Sequence, residues 1–159
     1  SGDKVSRTLT GSDIYKYVSK FFASNFKDND IEFSASDTFL KISIFDQPSR
    51  IYPVFINLVN NAQYWVERGE STPKKISLDT KKGDVFISDN GPGVDKDDLE
   101  QLFTLFFTRK QRGGRGIGLY LCKQNLQASG HKIRYETSQE NKLLAGANFA
   151  IEFKGMKND

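Results

Sequence analysis

Residues 48–69 read PSRIYPVFINLVNNAQYWVERG. Ile51, Phe55, Leu58, Val59, Ala62, Trp65 and Val66 recur there at the spacing of a 3.6-residue turn, which predicts one long amphipathic helix ending at Gly69. Toward the N-terminus, Ile14, Val18, Phe21, Phe22 and Phe26 behind a Ser12-Asp13 start signal predict a second helix over 12–26. The alternating runs 31–33 and 39–45 predict a hairpin of strands connected through 35–38. Toward the C-terminus, 76–78 and 85–87 read as a hairpin turning at 81–84, and 96–103 as a short helix. A further helix runs through Leu121, Cys122 and Leu126 to Ser129-Gly130, and 133–135 with 147–153 close the chain as two strands. A helix followed by a hairpin, three times over, is not the strand-helix alternation of a doubly wound sheet. The expected fold class is α+β, a mostly antiparallel sheet with helices on one face.

The composition removes several classes. The chain has 159 residues, 27% of them charged, with 13 Phe and 6 Tyr to build a core, so it is not intrinsically disordered. Its richest apolar runs, 102–107 and 117–122, are far shorter than a membrane helix requires. Cys122 is the only Cys and His131 the only His, which excludes an internal disulfide and a Cys/His zinc cluster. A net charge of +3, from 23 Lys and Arg against 20 Asp and Glu, is too balanced to indicate nucleic acid by itself. The Ser-Gly start without Met reads as a tag scar or linker over 1–7, ahead of one domain over 8–154 and a C-terminal tail over 155–159.

Three stretches carry chemistry. Asn57 and Asn61 lie four apart on one face of the long helix, which Arg50, Tyr64 and Arg68 continue. This is either a solvated face or a pair of amide oxygens suited to a hard cation such as magnesium. Asp89, at a strand end before Gly91 and Gly93, is either an ordinary turn opener or an acceptor for the exocyclic amine of a flat ligand. Gly113 to Gly118, with Leu119 opening a helix, frees backbone amides to meet a phosphate. No Gly-Lys-Ser/Thr follows, as a Walker A loop needs, and the glycines at 114, 116 and 118 do not fit a Rossmann turn. Between the second and third stretches, LFTLFFTRKQRGGRG places Phe103, Phe106 and Phe107 ahead of Arg109, Lys110, Arg112 and Arg115. Such a run serves as an RNA-contacting segment, a solvated loop, or a mobile lid that brings cations to a nucleotide.

In combination, INLVNNA, DNGPGV, LFTLFFTRK and GGRGIGLYLCK resemble the N box, first Gly box, F box and second Gly box of the GHKL, or Bergerat-fold, ATPases, most closely the catalytic domain of bacterial sensor histidine kinases. GANFAIEF, residues 146–153, is similar to the closing strand of those kinases, and the resemblance covers about residues 8 to 154. It implies a two-layer α/β sandwich that binds ATP and Mg2+ between the N-box helix and a lid. It implies Asn61, with Asn57 one turn earlier, as the magnesium residues, and Asp89 as the reader of the adenine amine beside Gly91 and Gly93. Gly114, Gly116 and Gly118 line the phosphates in this reading, and Tyr64, Val94, Leu102, Phe103, Thr108, Ile117 and Leu119 complete the nucleotide contacts. Asn57, Asn61, Arg109, Lys110 and Arg115 are the residues it implies for catalysis, with no box fixing which lid cation meets the γ-phosphate.

Two positions depart from the family pattern. Many of these kinases have Lys where this chain has Tyr64, and Arg115 stands where Thr or Ser is usual. The hydrolytic branches are similar but carry a Glu as general base in place of Asn57, and an amide does not take a proton from water at neutral pH. The expected activity is therefore transfer of the ATP γ-phosphate to a His on a separate or upstream helical domain. His131, in a turn, is expected to be structural or on the surface. A serine kinase or a non-catalytic ATP-binding regulator is the alternative within the superfamily, and an RNA-binding module the alternative outside it. The implied partners are a dimerisation and phosphoacceptor domain and a response regulator, with no membrane contact and no nucleic acid. The implied location is the cytoplasm.

Overall fold

The computed structural model describes residues 2–110 and 116–158. Strand β1 (Arg7–Thr10) leads into helix α1 (Gly11–Asp28). Thr10 caps that helix: its Oγ1 accepts from the Asp13 amide at 3.0 Å while the Asp13 carboxylate accepts from the Thr10 amide at 3.0 Å. A side chain at Gly11 would place its Cβ 1.7 Å from the Phe39 carbonyl, so glycine alone lets the helix start this close to the next turn of chain. Ile14, Val18, Phe22 and Phe26, every fourth residue, are buried, whereas Phe21, expected in the same stripe, is 61% exposed. Phe22 holds the core position, and adjacent residues of a helix are about 100° apart.

The hairpin expected over 31–45 does not form. Strand β2 (Ile31–Ala35) pairs parallel with β4 (Lys74–Lys81), while β3 (Ile42–Asp46) pairs antiparallel with β1 in a separate sheet. Ser36 causes the divergence. Its hydroxyl accepts from the Phe39 amide and starts a helical turn, α2 (Asp37–Leu40), which buries Phe39 in the core and redirects the chain. The long helix α3 (Pro48–Arg68), whose start and end agree with the sequence reading, helps supply the crossover that the parallel pair needs. Residues assigned to a linker and a tail also enter the fold: β1 begins at Arg7, and β8 (Lys157–Asn158) pairs with Ser43 and Ile42 to complete the three-stranded sheet.

The larger sheet has the order β2-β4-β5-β7-β6, with β5 (Asp84–Asp89), β6 (Lys132–Tyr135) and β7 (Asn148–Glu152), and every pair except β2–β4 is antiparallel. Lys82 and Gly83 both have positive φ, the geometry of a two-residue hairpin turn between β4 and β5. On one face Ile76, Leu78, Val85, Ile87, Phe149 and Ile151 share a core with Val54, Phe55, Leu58, Val59 and Val66 of α3. Helix α4 (Gly118–Ala128) buries Cys122 and Leu126 in the same core. The opposite face is covered by the connection between β6 and β7, where Asn148 Oδ1 accepts from Leu143 and Lys82 donates to Asn141. The short helix expected over 96–103 is a 3-10 segment, Lys96–Gln101. Among the described residues, no helix is long and apolar enough to cross a membrane.

His131 is 3% exposed and ties the two sheets together. Its Nε2 donates to Asp46 Oδ2 at 2.9 Å, and its Nδ1 accepts from the Lys154 amide at 2.9 Å, an arrangement that fixes the tautomer. Burial works to raise the Asp46 carboxyl, but the Gln47 amide, His131 and Ser129 outweigh it and hold the group below its ordinary value. The resulting stabilisation is present at neutral pH and is lost as pH falls through that lowered value. His131→Ala leaves both a cavity and a buried, partly unsatisfied carboxylate. We expect it to destabilise the domain by about 2 to 4 kcal/mol, read from the urea midpoint at unchanged slope.

Candidate functional site

A cleft of about 600 Å³ opens between α3, the loop after β5, the segment 102–110 and the start of α4. Asn57 and Asn61 line it from α3, one helical turn apart. Helix α4 approaches them closely, since a Cβ at Gly118 would lie 3.9 Å from the Asn57 Oδ1. Below Gly118, the Cys122 thiol points to the Val54 carbonyl at 3.6 Å, and burial pushes it up to about 12 despite hydrogen bonding from Asn57. Cys122 is therefore an inert packing residue.

Asp89, at the end of β5, is 2% exposed and sits behind Gly91. Its Oδ1 accepts from the Gly91 amide at 2.9 Å and from the Ala147 amide at 3.3 Å. Burial nevertheless dominates and pushes the carboxyl up to about 6, with those two amides acting in the opposite direction. Gly146 is packed so tightly here that a Cβ would lie 2.5 Å from Asp89 Oδ1 and 2.6 Å from the Gly91 carbonyl. Across the loop, the Tyr135 hydroxyl accepts from the Val94 amide at 3.1 Å and fixes the cleft wall.

The segment 102–110 closes the third side. The Phe106 amide donates to the Gly116 carbonyl at 2.8 Å. Gly116 has φ +70°, and a Cβ there would lie 2.2 Å from Phe106 backbone, so only glycine permits this contact. Arg109 grips Asp98 with two bonds, Nε to Oδ2 at 3.1 Å and Nη2 to Oδ1 at 2.9 Å, and lies 5.0 Å from the Phe107 ring centroid. The Lys110 ammonium lies 5.0 Å from the Tyr64 ring centroid, over which the Arg68 guanidinium also lies at 3.4 Å.

Of the residues singled out in the sequence, Asn57, Asn61, Gly93, Val94, Leu102, Thr108, Arg109, Lys110, Gly116, Ile117, Gly118 and Leu119 meet on this one cleft. Asp89 and Gly91 lie immediately behind its wall, and Tyr64 beside it under Lys110. Phe103 turns away and packs edge-on against Phe149 at 6.0 Å. Gly114 and Arg115, with Arg112 and Gly113, lie outside the described residues. Asn60, Trp65, Asp95, Asp98, Phe107 and Leu121 also line the cleft. In the sequence Trp65 and Leu121 read only as helix positions and Phe107 only as part of the Phe-rich run, while Asn60, Asp95 and Asp98 carry no signal of their own. No group of three or more His, Cys, Asp or Glu among the described residues could cage a metal. The donors present are amide oxygens, which fit a magnesium ion that keeps waters and shares phosphate oxygens.

A family model described as histidine kinase-, DNA gyrase B-, and HSP90-like ATPase matches residues 46–155. Sensor protein KdpD of Clostridium acetobutylicum is 35% identical over 130 residues, which cover 78% of this chain and 14% of that protein. Sensor histidine kinase ZraS of Salmonella typhi is 32% identical over 122 residues, covering 76% of this chain and 25% of that protein. The chain thus matches a quarter or less of the length of these two relatives. Among solved structures, the catalytic domain of histidine kinase ThkA superimposes with a TM-score of 0.69 at 25% identity, covering 92% of both chains. The mycobacterial sensor histidine kinase MprB shares the fold with a TM-score of 0.70 at 20% identity, covering 92% of this chain and 95% of that one. The matched family, the sensor kinase relatives and the shared fold agree, and the chain belongs to the histidine kinase-, DNA gyrase B- and HSP90-like ATPases as a catalytic ATP-binding domain of the sensor histidine kinase kind.

Proposed function

We propose that this chain binds Mg-ATP in the cleft and transfers the γ-phosphate to a His on a dimerisation and phosphoacceptor domain, from which a response regulator takes it, in the cytoplasm. One observation carries the reading: the paired amides of Asn57 and Asn61 face the same cleft behind whose wall the Asp89 carboxylate is buried. Oδ1 of Asp89 is taken by two backbone amides, which leaves Oδ2 to accept from an adenine amine. Asn57 and Asn61 offer oxygens to magnesium, which when bound neutralises charge on the phosphates. Asn57 has no basicity to activate water, so the chain's own contribution is to hold the phosphates for an incoming nucleophile. In the transfer, the bond from the γ-phosphorus to the bridging oxygen breaks as a bond from an imidazole nitrogen forms, and ADP leaves. His131, the chain's single His, is buried with both nitrogens engaged, so the acceptor is a different residue.

Asp89→Asn tests adenine recognition. The two amides keep the side-chain oxygen of Asn turned toward them, so its NH2 replaces Oδ2 and meets the ligand amine donor to donor. ATP affinity should fall roughly tenfold to a hundredfold, the value of a mismatched buried polar contact of about 1 to 3 kcal/mol. A folded variant with unchanged calorimetric affinity sinks the assignment.

The wild-type domain should also bind ATP more weakly as pH drops below about 6, because protonation removes the acceptor. The limiting slope is about tenfold per pH unit. The Asp89→Asn variant should lack this part of the profile, which separates it from titration of the phosphates. The same raised value carries a stability cost, developing as pH rises from 3.8 to about 6 and complete above it. Asp89→Asn should therefore unfold no more easily than wild type at pH 7, and a large loss of stability there contradicts the reading.

Asn61→Ala should abolish the difference between ATP titrations with magnesium and with chelator. Equal wild-type affinity in the two conditions reduces Asn57 and Asn61 to a polar face. Incubation of the chain with radiolabelled ATP should leave no phosphohistidine, and label at His131 overturns its structural role.

A further inference from the structure

The two described lid cations are held in opposite ways. Arg109 spends its fork on Asp98, a carboxylate only 8% exposed, and withdrawing it strands that charge in the protein. Lys110 has no carboxylate: among the described residues neither it nor Arg68 makes an ion pair, yet both lie over the ring of Tyr64. A tyrosine face attracts an ammonium through its quadrupole while leaving the charge unneutralised. Lys110 also lines the cleft, and its amide donates to Thr108 Oγ1 at 3.0 Å, which fixes the backbone from which the side chain springs. Burial and the nearby Arg68 both press its ammonium below the ordinary value, a penalty that an anion in the cleft relieves. Tyr64 follows Asn61 by three residues on α3, so the ring shares the helix face of the amides assigned to the phosphate end of the ligand.

We infer that Lys110, and not Arg109, is the described lid cation that meets the terminal phosphates of a bound nucleotide, and that Tyr64 is the positioning residue that aims it. Arg109 instead anchors the lid to Asp98. The inference rests on the nucleotide reading above and divides the labour within it.

Calorimetric titration of the whole chain with Mg-ATP and with AMP tests it, because the ratio of the two affinities isolates the terminal phosphates from adenine recognition and from general damage to the fold. Lys110→Ala should lower the ATP to AMP ratio about tenfold or more, as expected for a lost charge-assisted contact, with AMP affinity unchanged. Tyr64→Ala should lower it about threefold to tenfold, and Tyr64→Phe, which keeps the ring face, should retain the wild-type ratio. A ratio unchanged in Lys110→Ala overturns the inference. So does an equal loss in Tyr64→Phe and Tyr64→Ala, or a fall in ratio for Arg109→Gln as large as that for Lys110→Ala. A wild-type chain that binds ATP no better than AMP overturns the inference through its phosphate term, and one that binds neither overturns the nucleotide reading with it.

Discussion

A carboxylate at 2% exposure is tolerated only where backbone donors replace the water it has lost, and the arrangement around Asp89 follows from that demand. Asp89 ends β5, and its Oδ1 draws in the amides of Gly91 and Ala147 while its backbone carbonyl accepts from the Gly146 amide at 2.9 Å. The antiparallel register of β5 and β7, with Ser88 opposite Asn148, brings these donors to the same place. Any side chain at Gly146 would push the entry of β7 away from both the carboxylate and the Gly91 loop. The loop that forms one wall of the cleft is thus an extension of the sheet's hydrogen bonding.

The other walls depend on close approach between the helices and the segment 102–110. The start of α4 lies against Asn57 at Gly118, and Cys122 fills the space one turn deeper without adding reactivity. This keeps two amides at the cleft instead of sending them to solvent on a long exposed helix face. Gly116 does for the segment 102–110 what Gly146 does for the sheet, since its contact with Phe106 leaves no volume for a side chain. Glycines at two points, 116 and 146, therefore set close contacts around the cavity. The charged residues around it, Arg109 on Asp98 and Lys110 over Tyr64, are held by partners of different chemistry.

Much of the fold was legible because local chemistry and global packing agree. The period of α3 and the positive-φ turn at Lys82-Gly83 are each enforced within a few residues. Local pattern does not decide the fold where long-range pairing does. Runs 31–33 and 39–45 alternate like a hairpin, but β2 finds a parallel partner more than thirty residues away and β3 pairs with residues before α1. Phe21 has the same apolar signal as Phe22, and only the direction of the helix against the sheet assigns one to the core and the other to the surface. In the site, the amides, the Asp89 loop and the glycines stood out because their spacing is local. Asp95 and Asp98 did not, because their role comes from the elements that face them.

The sequence by itself determined the class of fold, the order of its helices, and a set of residue types that suit a phosphorylated, flat ligand: amide oxygens, a carboxylate at a strand end and glycines ahead of a helix start. Residue type and short spacing suffice for these, since periodicity and turn chemistry act over a few residues. Tertiary structure alone decided the two separate sheets, the burial that raises the Asp89 carboxyl, the engagement of both His131 nitrogens, and the assignment of Arg109 and Lys110 to different partners. The physical reason is that desolvation and charge pairing are properties of what surrounds a group. Asp46 and His131, or Lys110 and Tyr64, become neighbours only when the chain has closed on itself.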